Sequence, residues 1–212
     1  MPRGKFITIE GGEGVGKTTQ AGLLTAALER AGIAAQSTRE PGGSPGGEAI
    51  RRLLLAGTGE MWDATSEALL LVAARREHVV RTIAPALDRG SWVVCDRFAD
   101  STLAYQGYGR GLPLAALRQL HRFAVGGFVP DLTVILDLPA EEGLARAAAR
   151  AAASDRFERL DRAFHQRLRQ GFLTIARDDP ARCVVVDASP DAPSVHRAVL
   201  SAVAQRLGVV FA

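Results

Sequence analysis

The run Gly11-Gly12-Glu13-Gly14-Val15-Gly16-Lys17-Thr18 has the residue types and spacing that hold phosphate groups. Its glycines let the backbone turn so that successive N–H groups point inward, and a helix starting at Lys17 adds partial positive charge. Lys17 is a compact cation able to reach the β- and γ-phosphates of ATP, and the Thr18 hydroxyl is a ligand for Mg²⁺. The flanks agree: Phe6-Ile7-Thr8-Ile9-Glu10 reads as a strand ahead of the loop, and Lys17-Thr18-Thr19-Gln20 opens a helix. Lysine occurs only at Lys5 and Lys17, with arginine supplying the other basic side chains, so a lysine in the loop stands out. Loops of this kind serve GTPases, motor ATPases and small-molecule kinases. The chain contains no asparagine, which removes the Asn-Lys-x-Asp motif for guanine, and it lacks the extra modules of motor ATPases.

A second chemical feature is a carboxylate at the end of an apolar run, Trp92-Val93-Val94-Cys95-Asp96, followed by Arg97. An Asp there can hold Mg²⁺ directly or through water, and an Arg beside it can hold a phosphate. Asp137, at another strand end, competes for the metal. Asp96 is preferred because Arg97 and the polar groups Ser101, Thr102, Tyr105 and Gln106 follow it.

These residues need a scaffold that presents strand ends together. Candidate strands are 6–10, 34–38, 92–96, 132–137 and 182–187. Helical patterns lie near 17–31, 46–56, 65–89, 113–126, 139–150, 158–177 and 191–207. Such alternation predicts a parallel five-stranded sheet with helices on both faces, whose ligands bind beyond the carboxyl ends of the strands. The stretch from Ala147 to Arg156 has no large apolar residue and reads as an exposed helix or a mobile flap. With 212 residues and no long linker or repeat, a single domain spanning 1–212 is expected, with a short lid at about 147–157.

Composition narrows the partners. The net charge is +3, and arginines alternate with acids along most of the chain, unlike the dense basic patch of a nucleic-acid binder. Cys95 and Cys183 sit in apolar runs and read as buried thiols, not as a disulfide or zinc site. There is no cleavable signal and no membrane-length apolar run, so neither nucleic acid nor membrane is expected, and the cytoplasm is the default location.

Four further segments, in order, carry a family resemblance. Asp96-Arg97-Phe98-Ala99-Asp100-Ser101-Thr102-Leu103-Ala104-Tyr105-Gln106-Gly107 resembles the Asp-Arg-Tyr/Phe…Ser…Ala-Tyr-Gln segment of bacterial thymidylate kinases. Thr38-Arg39-Glu40-Pro41-Gly42-Gly43-Ser44 is similar to their Arg-Glu-Pro-Gly-Gly signature. Ala73-Ala74-Arg75-Arg76-Glu77-His78-Val79 is similar to their Arg-x-x-His helix, and Asp155-Arg156-Phe157-Glu158 to the end of their lid.

The resemblance implies a P-loop kinase fold, ATP as donor, dTMP as acceptor and dTDP as product, with Mg²⁺. It implies that Glu13 contacts the sugar 3′-hydroxyl, that Arg97 and Arg39 face the acceptor phosphate, and that Arg75, Thr102 and Gln106 reach the base. Tyr105 would pack against C2′. By the same resemblance the lid carries catalytic arginines when the loop carries an acid, which makes Arg150 and Arg156 candidates beside Lys17 and Arg97, with Arg146 nearby. It also implies a homodimer. Two positions depart from the family. Leu71 stands where an aromatic often stacks on the base, which implies either weaker base affinity or compensation by Phe98 or another ring, and Ala74 replaces an Asp that precedes the base-reading Arg, which leaves the orientation of Arg75 open. The alternative is a related nucleoside monophosphate kinase or a deoxynucleoside kinase. The latter needs a carboxylate base, for which Glu40 is available.

Overall fold

The computed structural model describes residues 2–56, 61–149, 156–157 and 159–211. The chain runs β1 (Phe6–Gly11), α1 (Lys17–Arg30), β2 (Ala35–Arg39), α2 (Pro45–Leu55) and α3 (Ala64–His78). Then α3 passes through a π turn (Val79–Ile83) into α4 (Ala84–Asp88). Next come β3 (Trp92–Asp96) and α5 (Ala99–Thr102), which continues as a π helix (Leu103–Gly109). The remainder is α6 (Leu114–Val125), β4 (Leu132–Asp137), α7 (Ala140–Ala148), α8 (Arg162–Asp178), β5 (Cys183–Asp187) and α9 (Ala192–Leu207).

The strands form one parallel sheet in the order β2-β3-β1-β4-β5, as the alternation predicted. Strand β1 is buried along its whole length, as befits the centre of a sheet covered on both faces. Because β2 and β3 lie on one side of β1 and β4 and β5 on the other, connections diverge there. They open a crevice at its carboxyl end. The register brings Ile9 beside Asp96 and Gly11 beside Leu136, so the phosphate loop and the β3 end emerge together.

One face of the sheet packs Ile7, Ile9, Val94 and Val134 against Leu24 and Leu28 of α1 and Val199 and Val203 of α9. On the other face, Phe6, Val93 and Cys95 meet Ile83, Leu87 and Phe98, while Ile135 and Cys183 meet Leu168 and Phe172 of α8. Both cysteines are free and buried, as expected from their apolar runs.

The helix expected over 65–89 is real but widened. Ala84 N–H bonds to Val79 O, a π spacing placed just ahead of Pro85, whose missing N–H interrupts the regular ladder. The helix expected from 158 begins at Arg162 because Asp161 caps it, its side chain accepting from Phe164 N at 2.6 Å. Helix α5 with its π extension was not anticipated. Its glycines and lack of apolar periodicity hide it from sequence pattern, although it supplies much of one wall of a cavity beside the loop.

Candidate active site

The loop between β1 and α1 is shaped by Gly11, Gly14 and Gly16, all at positive φ. At Gly14 the space is also closed: a Cβ would lie 1.9 Å from the carbonyl oxygen of Gly143 in α7. Gly143 returns the constraint, since its own Cβ would lie 2.4 Å from Glu13 O. Helix α7 is therefore seated directly on the loop between β1 and α1.

Lys17 is buried and donates to the carbonyl of Gly12. Burial and the nearby Arg97 push its ammonium down to about 8, against the pull of Glu13, Asp96 and Glu10. Thr18 Oγ1 donates to Asp96 Oδ2, which sets two hard oxygen donors side by side at the start of α1. The competing carboxylate, Asp137, is bound by both arms of Arg169 at 2.7 and 2.8 Å. The residues therefore fit a Mg²⁺ site at Thr18 and Asp96 better than one at Asp137.

Arg97 is, among the described residues, the non-glycine position with positive φ, at 70°. Two neighbours hold that conformation. Its N–H bonds to Ile9 O at 3.0 Å, and the Glu10 carboxyl accepts from Phe98 N at 2.7 Å and Ser101 Oγ at 2.6 Å. The Arg97 guanidinium then reaches Gly11 O at 3.0 Å, Ser101 Oγ at 3.3 Å and Glu13 Oε1 at 2.9 Å. Tyr105 donates its phenol proton to the same Glu13 oxygen, and its ring lies 4.8 Å beneath the Arg97 guanidinium. Burial alone would raise the Glu13 carboxyl. Arg97, Lys17 and the Tyr105 hydroxyl override it and hold the group down at about 2. Glu10 shows the opposite balance: burial and Asp100 push it up to about 7.

A cavity of about 260 Å³ opens beside this cluster. Glu13, Arg39, Leu71, Arg75, Arg97, Thr102, Tyr105 and Gln106 all line it, together with Gly14, Gly16, Lys17, Thr18 and Asp96. The sequence had marked every one of these residues. Gly11, Gly12 and Val15 lie behind the loop, against β4 and α8.

Arg75 is buried, yet held at several atoms. Nε donates to Glu40 Oε2 at 2.8 Å; Nη2 donates to Phe98 O at 3.0 Å and Thr102 Oγ1 at 2.9 Å. Glu40 in turn contacts His78 Nδ1 at 3.2 Å, and His78 Nε2 meets Thr38 Oγ1 at 2.7 Å. The orientation left open by Ala74 is thus supplied by Glu40, Phe98 and Thr102. Glu40 is engaged as an anchor for Arg75 and His78. Phe98 is fully buried, edge-on to Phe6 and beneath the Arg75 guanidinium at 5.0 Å, so its ring stabilises Arg75 from the core. Arg39 lies at the rim, paired with Glu48 at 2.9 Å.

The arginines expected at the lid separate. Arg150 lies outside the described residues. Arg146 donates to Ala188 O at 2.8 Å and Ser189 O at 2.9 Å, which pins it beyond β5. Arg156, expected beside the transferring phosphate, is instead fully buried: it donates to Leu54 O at 3.1 Å, pairs with Glu67 and lies 4.8 Å over the Phe157 ring.

Sequence reading gave no site role to Glu10 or Glu67, named Ser101 only in the polar run after Asp96 and His78 only in a family segment, and saw Glu40 only as a possible base. Each looks like an ordinary charged or polar residue in its own segment. The available signal was spacing: Glu67, Arg75 and His78 fall on one face of a single helix.

The thymidylate kinase family model matches residues 9–199. The chain is 54% identical over 209 residues to a thymidylate kinase of Caulobacter vibrioides, covering 99% of this chain and 100% of that one. It is 51% identical to one of Rhizorhabdus wittichii, covering 98% and 100%. A crystal structure of the thymidylate kinase of Ehrlichia chaffeensis superposes with a TM-score of 0.77 at 38% identity, covering 95% of this chain and 99% of that one. With this sheet order, this loop and this cavity, the chain belongs to the thymidylate kinase family.

Proposed function

We propose that this chain transfers the γ-phosphoryl group of ATP to dTMP, forming dTDP and ADP. The observation that carries the reading is the gathering of the phosphate loop, the Arg97–Glu13–Tyr105 cluster and the Arg75 wall around one cavity. In this reading the loop N–H groups and Lys17 hold the phosphates of ATP. The acceptor phosphate lies against Arg97 and Arg39, and its base against Arg75, Thr102, Gln106 and Leu71. Glu13 receives the sugar 3′-hydroxyl, and Tyr105 packs on C2′. Thr18 and Asp96 would hold Mg²⁺, which when bound neutralises phosphate charge.

The acceptor phosphate is already an anion at neutral pH, so alignment and charge neutralisation suffice without a strong base. Arg97 begins paired to Glu13, so acceptor binding exchanges a carboxylate partner for a phosphate. Arg150 is the lid arginine proposed to meet the transferring group, because Arg146 and Arg156 are engaged elsewhere. Residues 147–157 act as the lid of one domain spanning 1–212, and closure keeps water from the reacting phosphoryl group.

A homodimer and a cytoplasmic location complete the reading. Phe123 of α6 and Leu69 of α3 are strongly exposed, and these two helices pack together, with Arg76 donating to Ala124 O at 3.1 Å. That apolar face would be covered by a second copy. No helix among the described residues is long and apolar enough to cross a membrane.

The test is an acceptor panel. With ATP, turnover of dTMP is expected to exceed that of other monophosphates and of thymidine. Turnover of thymidine with none of dTMP would overturn the reading.

A further inference from the structure

Glu67 sits on α3, eight positions before Arg75, and is fully buried. Its carboxylate collects donors from three separate segments. Oε1 accepts from Gln106 Nε2 at 2.8 Å; Oε2 accepts from Arg156 Nη2 and, at 3.5 Å, from Arg110 Nη2. Gln106 is itself buried and lines the acceptor cavity. A carboxylate between two guanidinium groups accepts hydrogen bonds and donates none, so the Gln106 amide must turn its NH₂ towards Glu67. What remains is the carbonyl oxygen, and Gln106 Oε1 has no partner among the described residues. An unmet buried acceptor is unfavourable, and a ligand N–H would relieve it.

We propose that Glu67 is a positioning residue for base selection: by fixing which way the Gln106 amide faces, it makes the cavity require an N–H donor on the acceptor base. A thymine or uracil ring offers that donor at N3. A cytosine ring offers a lone pair at the same place and would oppose the Gln106 oxygen. Glu67 touches no substrate in this scheme and acts through Gln106. Arg156 serves the same arrangement by bracing Glu67 from the side opposite the amide. The proposal rests on the reading of Gln106 as a base contact given above.

The experiment compares kcat/KM for dTMP and dCMP, with ATP, in the wild type, Glu67→Gln, Gln106→Leu and the double variant. The amide introduced by Glu67→Gln can donate or accept, which frees Gln106 to turn. The dTMP-to-dCMP ratio is expected to fall at least about tenfold in Glu67→Gln. In the Gln106→Leu background, adding Glu67→Gln should leave the ratio where it is. A merely structural Glu67 lowers both values alike. An unchanged ratio, or effects on the ratio that simply multiply in the double variant, overturns the proposal. Glu67→Gln removes the buried carboxylate that Arg156 and Arg110 face; should it not fold, Glu67→Gln/Arg156→Met removes both charges of the Glu67–Arg156 pair and is read by the same criterion. Gln106→Leu keeps volume and leaves the Glu67–Arg156 pair intact, and an unchanged ratio in that variant alone also overturns the proposal. A wild type inactive on dTMP would instead overturn the functional reading, so the two failures are distinct.

Discussion

The two halves of the site, proposed to hold donor and acceptor, are built on different principles. The donor half is local: residues 11–18 are contiguous, glycines set the turn, and the backbone itself presents the phosphate ligands. The acceptor half is assembled from β2, α3, the β3 end and α5 with its π extension. Ion pairs hold it together: Arg75 on Glu40 and Arg156 on Glu67, both buried, and Arg97 on Glu13, partly buried. The first is robust to changes elsewhere because its geometry lies in φ and ψ. The second fixes planar donors against a ligand edge, at the risk of stranding a charge when one partner is lost.

The difference yields expected effects of decreasing size. On the donor side, Lys17→Met should lower kcat by about 10²–10³-fold while leaving unfolding by urea nearly unchanged, because one preorganised charge is removed from a loop the backbone still shapes. On the acceptor side, Glu40→Ala should do the reverse first. It leaves Arg75 and His78 buried without their carboxylate, and urea unfolding should show a loss of about 3–5 kcal/mol. A Glu40→Ala protein as stable as the wild type would break the contrast.

Glu10 joins the two halves and gives a pH signature. Its folded value, about 7, lies above the ordinary 4.5, so the folded state binds the proton more tightly than the unfolded chain. Its contribution to stability is therefore complete below about pH 4.5 and is lost as pH rises through about 7. Across that window the wild type should lose about 3 kcal/mol that Glu10→Gln does not, as measured by urea unfolding at several pH values. Identical pH slopes would show that Glu10 is not held protonated. The smallest expected effect is at Leu71. Leu71→Phe should lower KM for dTMP by about two- to tenfold with kcat unchanged, since a ring adds stacking to a wall that already covers the base. No change in KM would mean that Leu71 does not face the base.

Legibility in the sequence followed the same division. The phosphate loop and the parallel sheet could be read directly, because turn chemistry and hydrophobic alternation are local. The acceptor residues could be named from their resemblance to a family, and the cavity gathers all of them. What holds them could not be read. Glu67 resembles any acid in a charged helix until the fold buries it against Gln106 and Arg156. Arg156 resembles a lid arginine until it is found beneath α2 and α3. The helix after β3 was missed because its order comes from packing of Tyr105 against Phe157, Phe164 and Phe172, not from its own periodicity.

Phosphorus NMR of the enzyme with ATP, dTMP and Mg²⁺ tests the central claim most directly, because it follows the γ-phosphoryl group itself. The account predicts dTDP and ADP appearing in equal amounts, with little orthophosphate. Orthophosphate accumulating at the rate of ADP, with the dTMP resonance intact, would contradict it.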